Sequence, residues 1–409
     1  MHSWLCAGKS LEAVNLNNPE KWKKTRSLFT FSTFHFLDDG LTDSIYLLLP
    51  FIAAELNLSF SQVGLLKGAF SGSMSLLQFP LSLLGEKIGE LTVIAVGTFG
   101  LTGGFLLLSK VYTFPAIFLS LIFAKGTAAG QHGLSSSLLS KVFEVSRRRA
   151  ALGTYNFSGD IGKVCLPFLL TVMINLWGWR QAIFTLSIGG FAAGAILWIL
   201  AKQKHDSSLL FQPEEKPVLK GNRWGIREPK SFSALLTIGI IDVSTRSALL
   251  TFLPFLLLEK GIPVARVGFA LTLLFAGGAV GKFVCGILAE WFGIILMVVG
   301  TEVLTAAGIL SLALSPPSVI WIILPFVGIV LNGTSSVLYA TVAEIISPTG
   351  RSRGYGLYYA ITLGSGAISP MVYGLLTDSL GLSFAIITTA LMVLLTIPLS
   401  RYLSKPNIS

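Results

Sequence analysis

Charge is what this sequence lacks most. Of its 409 residues only 12% are Asp, Glu, Lys or Arg, 53% are hydrophobic, and the mean hydropathy is +0.74. A soluble domain runs near a quarter charged, so this chain has too little polar surface to stay in water. Cysteine is also scarce. Cys6, Cys165 and Cys285 form no CxxC pair, which argues against a disulfide framework or a thiolate metal site. No metal and no cofactor is expected. Phosphate-binding loops, GxSxG and HExxH are missing, so the chain does not read as an enzyme. Without an ATP site, any work it performs must draw on an ion or solute gradient. No short cleavable leader is expected either: residues 1–27 are polar and basic, and the apolar run that follows is too long for one.

What is present is a series of long apolar runs. A spanning helix needs about 20 apolar residues. The runs fall near 28–54, 62–84, 91–109, 113–140, 150–172, 180–201, 231–258, 264–290, 294–314, 317–345, 354–376 and 381–401. The expected organisation is an N-terminal tail (1–27), a six-helix half (28–201), a polar linker (202–230), a second six-helix half (231–401) and a C-terminal tail (402–409). The net charge of +10 does not point to nucleic acid, because the basic residues sit between apolar runs. With both termini inside, twenty Lys and Arg residues lie on inner loops and four, Lys110, Arg180, Lys260 and Arg266, on outer ones. That bias predicts a multi-pass protein of the cell inner (cytoplasmic) membrane with both termini cytoplasmic.

The two halves repeat each other. At a shift of 204, Asp38 meets Asp242, Pro50 meets Pro254, Glu55 meets Glu259, Gly64 meets Gly268, Glu86 meets Glu290 and Gly89 meets Gly293. At 203, Gly130 meets Gly333, Arg148 meets Arg351, Gly153 meets Gly356, Tyr155 meets Tyr358 and Pro167 meets Pro370. Charged, Gly and Pro positions carry the match, so it is more than apolar helices aligning with one another. Two parallel six-helix halves with a substrate site between them are one arrangement of membrane carriers.

The loop LLGEKIGE carries Glu86, Lys87 and Gly89, and its second copy GILAEWFG keeps Glu290 and Gly293. These loops resemble the loop between helices 2 and 3 of the major facilitator superfamily, with Glu90 standing where that pattern has a base. The first run, FHFLDDGLTDSIYLLLP with His35, Asp39 and Ser44, resembles the fosmidomycin-resistance group of drug exporters. So do LSFSQVG at 58–64, SLLQFP at 75–80 and FSGDIGKVCLPF with Gly159, Asp160, Gly162 and Pro167. In run 4, His132-Gly133 replaces that group's His-Pro pair. The resemblance implies an all-α membrane protein, twelve transmembrane helices in two pseudo-symmetric halves. It also implies a cytoplasmic gate at Glu86, Lys87, Gly89, Arg148, Glu290, Gly293 and Arg351; topology alone also accounts for the basic loops SRRR and RSR.

Ionisable groups inside a bilayer cost a few kcal/mol each unless a wet cavity or a partner receives them. On the first helix His35, Asp39, Thr42 and Tyr46 share one stripe, flanked by Asp38 and Asp43. At 1.5 Å per residue, Asp39, Asp160 and Asp242 lie about 15 Å deep, near the midplane. We expect proton coupling at His35, Asp38, Asp39 and Asp43, with Asp39 titrating beside His35. A substrate cavity is expected at Lys125, His132, Asp160, Lys163, Asp242, Arg246 and Lys282. Asp242 and Arg246, four residues apart, also read as an internal ion pair, and Lys67 and Glu302 as lying near run ends or packing locally. Four bases, Lys125, Lys163, Arg246 and Lys282, would suit an anionic solute. The partners expected are a small-molecule substrate, protons and the lipid bilayer, with no nucleic acid, for a monomer. Proton-driven export of a small organic solute is the first reading. Proton-coupled import of an organic anion or nutrient is the second. A sensor or assembly protein that has lost transport is the third, and the retained midplane charges argue against it.

Overall fold

The computed structural model describes residues 19–202, 226–347 and 351–403. The expected tails and linker therefore fall largely outside the described residues, as does the side chain of Arg351. The helices are α1 (Pro19–Leu56), α2 (Phe60–Ile88), α3 (Glu90–Leu108), α4 (Phe114–Thr127), α5 (Gln131–Val142), α6 (Val145–Trp177) and α7 (Trp179–Lys202). They continue with α8 (Pro229–Glu259), α9 (Val264–Phe292), α10 (Ile294–Leu314), α11 (Pro317–Ile345), α12 (Arg351–Leu380), α13 (Leu382–Val393) and α14 (Thr396–Ser400). The described residues contain no strand beyond one isolated bridge between Ile226 and Ile346.

Each expected apolar run is helical, and two of them are interrupted. A 3-10 turn, Ala128–Gly130, separates α4 from α5 within one run. Here α3 comes close: a Cβ on Gly97 would lie 2.9 Å from the Thr127 carbonyl oxygen and 3.2 Å from the Ala128 Cα. The small residues 126–130 accept that approach. Residues 394 and 395 likewise separate α13 from α14, so fourteen helices make twelve membrane passes. Among the described residues nine passes meet the length and apolarity of a spanning helix unaided. The other three are α1, α2 and the α4–α5 pair, which carry many of the polar side chains.

Local chemistry sets the turns. Ser59 and Gln62 form a reciprocal capping box that starts α2. Among the described residues every left-handed backbone position falls between two helices, at Asn57, Gly89, Gly178, Gly261, Gly293 and Gly381. These make three pairs at the repeat shift: Asn57 with Gly261, Gly89 with Gly293, and Gly178 with Gly381. Helix packing repeats the same way. The contacts α1–α6, α2–α4 and α3–α7 of the first half recur as α8–α12, α9–α11 and α10–α13 in the second.

The halves meet along α2–α12 and α6–α9. At the end carrying the α1–α2 turn they are pressed together. Gly64 faces the Pro370 carbonyl, Gly68 faces Met371 and Ala367, and Gly268 faces Thr171 with no room for a Cβ. Asp378 of α12 caps the start of α2, accepting from the Phe60 N–H at 2.8 Å and the Ser61 N–H at 2.9 Å. One turn further along α2 the gap has widened: a Cβ on Gly72 would lie 3.7 Å from that of Ala367. Gly364 and Gly153, further toward the other end, would meet nothing within 4 Å. The halves thus close at the α1–α2 end and part toward the α2–α3 end. Large apolar side chains such as Leu76, Phe283 and Leu314 are exposed on the outside, where lipid would cover them.

Candidate functional site

Between the halves lies a cavity of about 300 Å³, the small end of ligand-sized pockets. Its wall includes Lys67, Lys125, Lys163, Arg246 and Lys282, with Asp43 and Asp160 as the acids. His35, Asp38, Asp39 and Asp242 lie behind that wall and are buried.

The α1 stripe works as its spacing predicts. His35 Nε2 lies 3.2 Å from Asp39 Oδ2, one turn along the helix. Thr42 accepts from the Lys125 ammonium at 2.8 Å, and Tyr46 faces the cavity. The glycines of FSGDIGK explain how α6 reaches this stripe. A Cβ on Gly159 would sit 2.6 Å from both Asp39 Oδ2 and His35 Cε1, and one on Gly162 would collide with the Phe36 carbonyl. Close approach brings Lys163 within 3.1 Å of Asp39 Oδ2, 4.0 Å of Asp43 and 3.8 Å of Asp160. From the other half, Lys282 reaches Asp160 at 2.5 Å. Asp160 therefore carries an ion pair across the interface.

The proton inventory of His35 follows from its neighbours. Its ring stacks on Tyr155 at 4.1 Å, and its Nδ1 lies 2.8 Å from the Tyr155 carbonyl oxygen. A carbonyl only accepts, so Nδ1 carries a hydrogen. Nε2 then faces a carboxylate that also only accepts when ionised. A proton on Nε2 or on Asp39 would turn that contact into a hydrogen bond. His132 Nε2 lies 3.4 Å from Asp39 Oδ1 and 3.6 Å from Asp38 Oδ2, a second imidazole at the same carboxylates. His35, Asp39 and His132 bring three metal-type ligand atoms within 4.8 Å of one another. The Lys163 ammonium on Asp39 opposes a divalent cation there.

Asp38 is held differently. Lys125 of α4 donates to it at 3.1 Å, both side chains are buried, and its Oδ1 has no partner. Lys125 and His132, seven residues apart across the 3-10 turn, both approach Asp38 Oδ2. In the second half Asp242 lies 4.0 Å from Arg246. Ser335 links them, accepting from Arg246 at 2.6 Å and donating to Asp242 at 3.1 Å.

Lys67 and Glu302, expected near run ends or in local packing, are both buried within their helices. Lys67 is only 4% exposed and sits on the cavity wall, not at a helix end. Glu302 is 1% exposed in α10, with Oε1 unpartnered. A serine- and glycine-rich face around Lys67 was the available signal, and it reads equally as packing. At the α2–α3 turn Gly89 supplies the left-handed joint, as Gly293 does in the second copy, while Glu86, Lys87 and Glu290 are exposed. Arg148 is half-buried with its Nε unpartnered. Glu90 makes the ordering contact instead: it accepts from Ser137 at 2.7 Å and Lys141 at 2.9 Å, tying α3 to α5.

Two six-helix halves around a central charged cavity define a membrane carrier of the alternating-access kind. The sequence matches the Major Facilitator Superfamily twice, over residues 28–243 and 235–408, and the chain belongs to that family. It is 24% identical over 370 residues to YfnC of Bacillus subtilis (strain 168), an uncharacterized transporter of that type, covering 89% of each chain. It is 20% identical over 354 residues to the fosmidomycin resistance protein of Escherichia coli (strain K12), covering 86% of each. Its fold is similar to that of a bacterial homologue of the human lysosomal transporter Spinster in the inward-facing, unoccupied conformation. The TM-score is 0.79 at 16% identity, over 94% of this chain and 98% of that one.

Proposed function

We propose that the protein is a proton-coupled secondary transporter that exports a small organic solute by alternating access, with the His35–Asp39 pair binding the coupling proton. The observation that carries this reading is the buried contact of His35 Nε2 with Asp39 Oδ2 at 3.2 Å, with Lys163 on the same oxygen at 3.1 Å. Lys163 links it to the interface. When the proton enters, Asp39 loses negative charge and Lys163 shifts its weight to Asp43 and Asp160. Lys163 then competes with Lys282 for Asp160, which weakens the ion pair between the halves. Loss of the proton reverses the order. A charge change behind the wall is thereby converted into a change of attraction across the cavity.

Orientation comes from the charge bias. With both termini cytoplasmic, the α2–α3 end is inside and the cavity opens to the cytoplasm, as an antiporter loading its cargo requires. The protein then sits in the cell inner membrane and acts as a monomer. Export follows the resemblance of the first and fifth passes to drug exporters, and the fosmidomycin resistance protein is a relative of that description. The second reading, proton-coupled import of an organic anion, is favoured by the basic wall of the cavity.

The test needs a solute, found by thermal-shift screening of the purified protein against metabolites and antibiotics. In proteoliposomes, Asp39→Asn is expected to reduce pH-driven accumulation at least tenfold while leaving solute-for-solute exchange. A variant that still concentrates solute against the gradient removes Asp39 from the coupling step. Resistance of a sensitive host on expression supports export; growth on a new carbon source without resistance supports import.

A further inference from the structure

We infer that the cavity takes a small organic anion, whose charged group is held between Lys67 of the first half and Arg246 of the second. This rests on the carrier reading above and deepens it by naming the charge of the cargo.

The argument follows each cation on the cavity wall to its counter-charge. Lys125 has Asp38, Lys163 has Asp39, and Lys282 has Asp160, all within 3.1 Å. Lys67 has no such partner. Its ammonium donates to the Ser71 hydroxyl at 2.5 Å and lies 4.8 Å from the centre of the Tyr46 ring and 5.8 Å from that of Phe70. Among the described residues no carboxylate stands within 4 Å of it, and Asp43 acts on it only from beyond that range. Arg246 is the second under-neutralised cation. Its carboxylate, Asp242, is 4.0 Å away, and its near partners are the hydroxyls of Ser335 and Tyr339.

A cation withdrawn from water and faced only by hydroxyls and aromatic rings keeps much of its desolvation cost. An incoming anion removes it through charge-assisted hydrogen bonds, which a guanidinium can make in pairs to a carboxylate or phosphonate. A cationic solute would instead add a like charge beside Lys67. The remaining wall includes Phe70, Leu250 and Phe275, suited to an organic body. Lys67 lies on α2 and Arg246 on α8, so a bound anion ties one half to the other. Occupancy then favours a state in which both cations reach it.

The test is isothermal titration calorimetry on the full chain in detergent. The probes are benzoate, phenylphosphonate and gluconate, with benzamide and benzylamine as neutral and cationic controls of matching shape. At least one anion is expected to bind, and at least tenfold more tightly than either control. Lys67→Gln and Arg246→Gln should each weaken that binding at least tenfold, and Lys67→Arg should hold it within about threefold. Binding of none of the anions, equal binding of benzamide or benzylamine, or an undiminished Lys67→Gln each overturns the proposal. The probe comparison on the unaltered protein decides the matter even if Lys67→Gln fails to fold. No gradient is involved. Anion binding without pH-driven transport defeats the coupling reading alone, and pH-driven transport of benzylamine without anion binding defeats this one alone.

Discussion

Asp38 and Asp242 stand 204 residues apart in equivalent places of the two halves, and each is neutralised by a different route. Asp38 takes its cation from another element, Lys125 on α4, whereas Asp242 takes its own from one turn along α8. His132 and Ser335, equivalent at a shift of 203, each approach the carboxylate of their own half. The positions of His35, Asp39 and Asp43 correspond to Gly239, Val243 and Ser247, so the titratable cluster is a property of the first half alone. Asp38 and Lys125 are both sealed from solvent, and breaking a buried pair leaves a lone charge, at about 3–5 kcal/mol. Lys125→Met should therefore lower the unfolding temperature in detergent sharply, and Asp38→Asn/Lys125→Met should recover most of the loss. A double variant no more stable than the single one would show that Lys125 contributes through packing or through Thr42, not through Asp38.

At the scale of elements, α2 and α12 behave as a hinged pair whose separation is written in small residues. Gly64 and Gly68 sit against α12 with no space for a side chain, and Gly72, one turn on, has ordinary room. Overpacking of this kind costs about 1–3 kcal/mol in the closed arrangement. Gly64→Ala should shift the population toward opening at the α1–α2 end by roughly 5- to 150-fold, and Gly72→Ala should not. The measurement is the rate at which an impermeant maleimide reaches a cysteine introduced at Ser71 on the cavity wall. An unchanged rate for Gly64→Ala would mean that α12 yields without opening. These helices were legible in the sequence because long apolar runs bounded by Gly, Asn or Pro have few other solutions in a membrane. The stripe from His35 to Tyr46 was legible because helical spacing fixes which side chains share a face. The break at 128–130 was not, since it depends on how closely Gly97 and Gly100 of α3 approach Thr127 and Ala128. The setting of Lys67 escaped for a similar reason: the cavity it lines is completed by residues of the second half, which no local pattern records.

For the whole molecule, the closed end must open if the same cavity is to serve both sides of the membrane. The contacts that would have to part are the Asp378 cap on the start of α2, the Gly64 and Gly68 approach to α12, and Thr171 against Gly268 on α6 and α9. All lie at one end, while the Asp160–Lys282 pair and the cavity lie nearer the middle. That division predicts a lock. A Cβ at Gly72 would lie 3.7 Å from that of Ala367, within the 3.5–4.5 Å range of a disulfide. Gly72→Cys with Ala367→Cys should cross-link under mild oxidation and hold α2 against α12. Transport in proteoliposomes should then stop, binding of solute from the open side should persist, and a reductant should restore transport. The contacts that hold the closed end shut all lie at that end, so the locked protein should bind without carrying. A cross-linked protein that transports at its reduced rate would place the moving contact elsewhere, on α6–α9 alone. If binding is lost together with transport, the cavity itself must change shape when α2 moves, and Lys67, which α2 carries, is the residue whose displacement would account for it.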